Sequence, residues 1–334
     1  MSEQQDRVGY SEKVAQTFVD AILAGTAKWM KPWSPGEGGD LPYNPTTGNR
    51  YRGINSMWLD MMGTSMGSDD PRWMTYKQAA ELGAQVKRGA TGTTVEYWQF
   101  TKDEKDPTTK ETVVTKLDRP RVFWATVFNA SQIQGLPELV IPERGWEPNA
   151  RADDLVQASG ARIEHRSGDR AFYSPASDRI VMPEQHQFAH LEHYYSVLLH
   201  ELTHWTSSPD RCDREIGRAG FGSVEYAKEE LIAEIGSFMI CRELGLARPG
   251  LDEQHQAYVA NWAQVVKSDP REIFRAAAQA ERAMSFVMQF DRGQVHNQAQ
   301  KEARKLEPVE RAPEPAQEPR RQRTREPAAA GASR

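Results

Sequence analysis

The run His200-Glu201-Leu202-Thr203-His204 puts two imidazoles and a carboxylate around one small volume. On an α-helix, side chains four residues apart project from one face, one turn above the other, so the two histidines can share a metal ion. Glu201 is offset by about 100° around the axis and lies beside the ion, where a carboxylate can act as general base toward metal-held water. A catalytic zinc normally takes three protein ligands and keeps one position open, and a Glu from a later helix is a common third ligand. The acidic pair Glu229-Glu230 opens such a helical stretch and offers two choices. Glu229 is the first choice, because Ala233 and Gly236 follow it along the same face and their small side chains let that helix pack closely against the histidine helix. Glu230 is the alternative, with Glu234 one turn further on and able to orient a ligand histidine through its second ring nitrogen. The expected cofactor is Zn²⁺, although Mn²⁺, Co²⁺ and Ni²⁺ accept the same donors. His190 and His193 lie two or three turns ahead of the motif, too far to join it, and His165, His186, His255 and His296 have no ligand-like spacing.

Positioning these groups requires a helix over residues 188–206. That stretch has no internal Pro or Gly, carries Leu191, Tyr195, Leu198, Leu202 and Trp205 as one apolar stripe, and ends at Ser207-Ser208-Pro209. A second helix is predicted over 226–244. Ahead of both come a helix at 150–159 and short strands at 162–165, 171–173 and 179–181. A strand just before a metal-bearing helix is what a peptidase uses to hold an extended peptide by backbone pairing. Helices at 254–266 and 270–290 follow.

The first part of the chain reads differently. Helices are predicted at 10–23, 54–62 and 75–82, and β-rich alternating strands at 93–100 and 122–128. A Pro/Gly-rich loop spans 32–48, and the polar insert 101–112 reads as a mobile hairpin tip. The reading is an α+β protein. Residues 1–134 form a first domain, 135–149 a linker, 150–292 a mainly helical domain with a small sheet, and 293–334 a disordered tail rich in Gln, Glu, Arg, Pro and Ala.

Composition excludes several classes. The formal net charge is −5, and residues 1–134 balance 16 basic against 16 acidic side chains, so no global basic signature for nucleic acid exists and any such binding must use a local surface. Two cysteines, Cys212 and Cys241, supply no disulfide framework and point to a reducing compartment. The first residues are polar and no apolar run approaches a membrane span, so the expectation is a soluble, cytoplasmic protein with no membrane partner. Phosphate-loop signatures, internal repeats and Ser/His/Asp or Cys/His constellations are absent.

A local nucleic-acid surface is suggested by aromatics interleaved with bases around the Pro/Gly loop. Lys31-Pro32-Trp33, Tyr43-Asn44 and Arg50-Tyr51-Arg52 combine faces for stacking with cations for phosphates, the pairing used on single strands. Trp33, Tyr43 and Tyr51 are the stacking candidates, and Arg50, Arg52 and Lys77 the phosphate candidates, with Lys87 and Arg88 extending the track. Trp58, at helical spacing from Ile54 and Met62, reads as core.

Several segments together resemble the ArdC antirestriction protein family of conjugative plasmids. They are Gly25-Thr26-Ala27-Lys28-Trp29, Pro42-Tyr43-Asn44-Pro45-Thr46-Thr47-Gly48, Tyr51-Arg52-Gly53-Ile54-Asn55, Trp73-Met74-Thr75-Tyr76-Lys77, Tyr173-Ser174-Pro175, Asp178-Arg179-Ile180, the histidine run with Trp205, and Glu229-Glu230-Leu231. The resemblance covers roughly residues 8–290. It implies a single-stranded DNA-binding domain fused to a zincin-like metallopeptidase domain, a protein or peptide substrate that is not identified, and protection of incoming plasmid DNA from host restriction. Carried over by position, His200, Glu201, His204 and the acidic pair fall on the metallopeptidase motif. The rival expectation is a DNA-masking protein whose metal is structural.

Overall fold

The computed structural model of the chain describes residues 3–31, 40–105, 112–139, 148–214, 223–248, 258–291, 301, 302 and 304–306. Helix α1 (Glu3–Leu23) buries Val14, Phe18 and Ile22, one turn apart, and leads into a single 3₁₀ turn, Lys28–Met30, whose Trp29 packs against Phe18 with ring centroids 5.7 Å apart. After α2 (Ile54–Ser65) come β1 (Trp73–Thr75) and α3 (Tyr76–Glu81). Thr75 caps α3 reciprocally with Gln78, so two backbone N–H groups that no helix carbonyl could satisfy are bonded.

Strand β2 (Gln85–Val86) pairs with β5 (Ile133–Gln134), and the long strands β3 (Thr93–Lys105) and β4 (Thr112–Asn129) form an antiparallel ribbon with β1 on its far edge. The ribbon corrects the expectation of a mobile tip over 101–112. Past a register shift between Gln99 and Thr101 the ladder resumes at Thr101↔Lys116 and runs to Lys105↔Thr112. Thr112, Val113, Val114 and Thr115 are β-branched and favour the extended backbone, which the polar partner strand then pairs. Residues 106–111 lie outside the described residues.

The second half starts with α4 (Pro148–Ser159) and a three-stranded sheet of β6 (Arg162–Arg166), β7 (Phe172–Ser174) and β8 (Arg179–Pro183). Central β8 runs parallel to β6 and antiparallel to β7, which leaves β7 as an edge strand. Helices α5 (Leu191–Trp205), α6 (Val224–Leu244), α7 (Val259–Ser268) and α8 (Glu272–Met288) follow. Within the predicted stripe of α5, Tyr195, Leu198, Leu202 and Trp205 are buried, while Leu191 at the first turn is exposed.

Helices α5 and α6 pack unusually closely. A Cβ on Gly236 would sit 2.6 Å from Thr203 Cγ2, so a glycine is required where the two helices cross. Ser223 caps the start of α6 through Tyr226 N, and Gly245, at φ 78°, ends it in the left-handed conformation that favours glycine. One apolar core runs through both halves: Val14, Phe18, Trp29 and Trp58 belong to the same buried cluster as Leu198, Leu199, Phe238 and Trp262. A buried ion pair reinforces the junction, with Arg242 Nη1 of α6 2.9 Å from Asp60 Oδ1 of α2. Part of the predicted tail also docks on the first half. Leu306 N donates to Pro45 O at 2.7 Å, and Arg304 Nε to Asp40 Oδ2 at 2.9 Å.

Candidate metal centre

The two histidines meet as helical spacing requires. His200 Nε2 and His204 Nε2 lie 3.1 Å apart, with ring centroids separated by 4.8 Å. Each imidazole turns its other nitrogen to a carboxylate of α6: His200 Nδ1 is 3.2 Å from Glu234 Oε1, and His204 Nδ1 is 3.2 Å from Glu229 Oε1. His204 Nδ1 hydrogen-bonds Glu229 and His200 Nδ1 lies in ion-pair contact with Glu234, so in neutral rings both Nε2 atoms would present lone pairs to the same point. Glu230 closes the triangle, its Oε2 3.5 Å from His200 Nε2 and its Oε1 3.6 Å from His204 Nε2. Among the described residues His200, His204 and Glu230 form the one group of ligand-type side chains able to hold a metal, with donor atoms within 4.8 Å of one another.

This arrangement fits a divalent cation. Two Nε2 atoms 3.1 Å apart repel unless something positive lies between them, a proton in the cation-free protein or a metal ion in its place. Metal–nitrogen bonds of about 2.0–2.1 Å at tetrahedral angles separate two ligand nitrogens by roughly 3.3 Å. The observed spacing therefore needs almost no adjustment.

The structure sets Glu230, the alternative weighed on sequence, against the two Nε2 atoms and places Glu229, the first choice, behind His204. Glu229 is engaged elsewhere: Arg214 grips its carboxylate with two N–H groups, Nη2 to Oε1 at 2.8 Å and Nε to Oε2 at 3.1 Å. That guanidinium also satisfies Thr203 O and Thr206 Oγ1, both at 2.8 Å, at the C-terminal end of α5. Glu229 thus stands behind His204 and Glu230 faces the two Nε2 atoms. Spacing ranked the two glutamates without reference to Arg214: both point toward α5, and the loop arginine engages the carboxylate of Glu229. Tyr226, one turn before Glu230, accepts from Tyr258 Oη at 3.4 Å, and burial together with the Glu230 charge pushes its hydroxyl above the usual range.

The charges are strongly coupled. Burial pulls the His200 imidazole down, but hydrogen bonds to Glu230 and Glu234 outweigh it and leave the group well above its usual range. His204 is likewise lowered by burial and then lifted by Glu229 and Glu230, to about 9. Burial raises Glu229 and Glu230, yet the histidines, together with Arg214 at Glu229, hold both carboxyls below the usual carboxylate range.

Glu201 is buried beside the centre, and Tyr173 N of edge strand β7 donates to its Oε2 at 2.7 Å. Strand β7 is held there by a surface network. Tyr173 Oη donates to Asp178 Oδ1 at 2.9 Å, and Arg211, stacked 4.0 Å from the centroid of the Trp205 ring, contacts both Tyr173 Oη and Asp178. Two other described histidines do unrelated work: His165 Nε2 pairs with Tyr194 Oη at 2.9 Å, and His190 is the N-cap residue of α5.

The nucleic-acid candidates are scattered by the fold. Tyr43 and Tyr51 are buried, with Tyr51 Oη donating to Trp73 O at 3.0 Å, so neither ring is free to stack on a base. Arg50 turns toward Glu243 and Glu281 of the second half, at 3.6 Å and 3.7 Å. Arg52 and Lys77 are exposed, and Trp33 lies outside the described residues. Besides Tyr76 of α3 and Phe172 of β7, the exposed aromatics among the described residues lie on the β3–β4 ribbon. Trp98 and Phe100 stack on each other with centroids 6.2 Å apart, and Tyr97 and Phe123, cross-strand neighbours, are also exposed. Sequence reasoning read 93–100 and 122–128 as strands and took no nucleic-acid candidates from them. The signal was there in Glu96-Tyr97-Trp98-Gln99-Phe100, where aromatics of both parities cannot all be buried in a two-stranded ribbon.

No helix among the described residues is long and apolar enough to cross a membrane. Residues 9–128 match a family model described as the N-terminal domain of the anti-restriction factor ArdC, and residues 150–279 match one described as a zincin-like metallopeptidase. Two Escherichia coli proteins named DNA primase TraC are 47% and 48% identical over 318 and 302 residues, and the chain spans only 29% and 20% of their lengths. The uncharacterized protein y4eC of Sinorhizobium fredii (strain NBRC 101917 / NGR234) is 36% identical over 287 residues, which cover 83% of this chain and 90% of that protein. Crystal structures of the antirestriction ArdC protein from plasmid R388, metal-free and Mn(II)-bound, superpose with a TM-score of 0.69 at 37% identity, covering 85% and 84% of this chain and 98% of that one. With both halves matched in order and nearly all of a solved relative covered, the chain belongs to the ArdC antirestriction protein family.

Proposed function

We propose that this protein binds single-stranded DNA through its first half and carries a metal-dependent peptidase centre in its second, and that it protects incoming plasmid DNA from host restriction. The observation that carries the reading is the pair of Nε2 atoms 3.1 Å apart, each imidazole backed by a carboxylate and both faced by Glu230. His200, His204 and Glu230 hold the cation, and Mn²⁺ is a candidate beside Zn²⁺ because the R388 relative is described with Mn(II). When bound, a divalent ion makes water acidic and polarises a peptide carbonyl. Glu201 takes the proton from that water and later returns it to the leaving amine. The β7 N–H of Tyr173 fixes the carboxylate through Oε2, and the exposed edge of β7 can pair with an extended peptide. On the DNA side, Trp98 and Phe100 on one face of the ribbon and Tyr97 and Phe123 on the other are the stacking residues, with Lys102 and Arg121 as cations of the same ribbon and Arg52 and Lys77 as further exposed cations.

Metal content and oligonucleotide titration on one sample, with and without chelator, test both halves. One divalent ion per chain is expected in the wild type and none in H204A. E201Q keeps the ion and loses hydrolysis of a peptide library. Unchanged cleavage by E201Q overturns the peptidase assignment, and full plasmid protection by E201Q marks the protein as a DNA mask. Single strands are expected to bind better than duplex, with affinity falling steeply as salt rises. Removing both rings in W98A/F100A is expected to weaken single-strand binding about tenfold or more, at about 1–3 kcal/mol per stacked base.

A further inference from the structure

The two ligand histidines are backed by different kinds of support. The arm behind His204 is local: Glu229 is held by Arg214, whose other bonds go to Thr203 and Thr206 of the same half. The arm behind His200 is not. Glu234, its side chain 1% exposed, is bonded by Arg248 Nη2. Arg248 lies just past the end of α6 and is itself buried. Its Nε reaches Ser196 Oγ of α5 at 3.3 Å, its Nη2 also lies 3.5 Å from Ser237 Oγ of α6, and its Nη1 donates to the carbonyl of Trp29. Trp29 belongs to the 3₁₀ turn of the first half and is locked by Phe18 of α1. A continuous chain of polar contacts therefore runs from the first half into the metal centre: Trp29 O, Arg248, Glu234, His200.

Charge alone does not explain Arg248. A lysine neutralises a buried glutamate as a point charge, whereas bonding Ser196, Glu234 and the Trp29 carbonyl at once needs the planar fork of a guanidinium. We infer that Arg248 is a positioning residue that fixes Glu234, and through it His200, against a backbone anchor in the DNA-binding half, so that the first half sets the cation affinity of the second. The inference rests on the metal-centre reading above. It also implies reciprocity, since any ligand that moves the Trp29 turn changes cation affinity by the factor by which the cation changes that ligand's affinity.

The test measures Mn²⁺ and Zn²⁺ affinity by chelator competition, and the visible spectrum of the Co²⁺-loaded protein, in the full chain of the wild type, R248K, W29A and R248K/W29A. R248K is expected to weaken cation binding about 10–100-fold and to shift the Co²⁺ bands, the range typical when the partner behind a ligand is lost. W29A keeps the carbonyl but removes the ring that seats its turn on Phe18, so it is expected to weaken binding although it lies far from the centre in sequence, and the double variant to be little worse than either single one, because both changes loosen the same chain. R248K that binds within twofold of wild type with an unchanged Co²⁺ spectrum overturns the inference, whatever its melting temperature, by marking Arg248 as structural only. Additive effects of the two changes overturn the anchor. Absence of stoichiometric cation from the wild type sinks the metal-centre reading itself. If R248K does not fold, W29A decides by the same two readouts.

Discussion

At the scale of single residues, the centre stores protons when no cation is present. Burial alone depresses His204, but Glu229 and Glu230 reverse this and lift it to about 9. A histidine raised in the folded state adds stability that is fully present below its unfolded value of about 6.5. That stability is lost as pH rises through about 9. The cation-free protein is therefore expected to melt at lower temperature as pH increases from 6.5 to 9. A cation must displace these protons, so its affinity rises over the same window. Chelator competition at several pH values checks this, and a flat profile refutes it. Arg214 makes a second case. Its replacement in R214A leaves the Glu229 carboxylate, 8% exposed, without its guanidinium and with His204 as the charged partner that stays. A loss of about 3–5 kcal/mol in denaturant unfolding of the cation-free protein is expected, with a weakened His204 arm visible as lower cation affinity.

Between elements, the decisive distance is that separating α5 and α6. Gly236 leaves space for Thr203, and an added Cβ would meet its Cγ2 at 2.6 Å. Helix propensity favours alanine by about 1 kcal/mol, while overpacking costs about 1–3 kcal/mol. The helices carry His200 and His204 on one side and Glu229, Glu230 and Glu234 on the other, so any separation lengthens every contact at the centre. G236A is expected to lose stability and cation affinity together. T203S removes the offending methyl and keeps a hydroxyl for Leu199 O, which Thr203 bonds at 2.7 Å. The double variant T203S/G236A is then expected to recover most of both losses, and failure of this rescue would show that the crossing is not what the glycine serves.

Across the whole molecule, the apolar core joins what sequence divides at residues 135–149. Phe18, Trp29 and Trp58 lie in one cluster with Phe238 and Trp262, and the Arg242–Asp60 pair, 1% and 11% exposed, crosses the same junction. Cutting between the halves would expose apolar surface on both sides and leave Arg242 without its carboxylate. The full chain is expected to unfold in one calorimetric transition. Residues 150–292 alone are expected to lack a cooperative transition, and an independent, sharp melt of that fragment would contradict the shared core.

What the amino-acid order determined is whatever depends on local periodicity. Four-residue spacing set His200 and His204 on one face, the absence of Pro and Gly over 188–206 secured their helix, and the small residues at 233 and 236 announced a close crossing. Short alternating runs located the strands of the small sheet within a residue or two. What only the tertiary structure decided is whatever depends on partners distant in the chain. Glu229 and Glu230 differ by one position, and the choice between them falls to Arg214, which claims the first carboxylate. Tyr43 and Tyr51 sit beside cations in sequence but are packed beneath other segments, while Trp98 and Phe100, in a strand that the sequence located but did not orient, are exposed on the ribbon and stack on each other. The Trp29–Arg248 bond joins positions 219 residues apart and leaves no periodic trace in the sequence. Helical and strand periods report which side of an element a residue occupies; what lies against that side is settled only when the chain closes on itself.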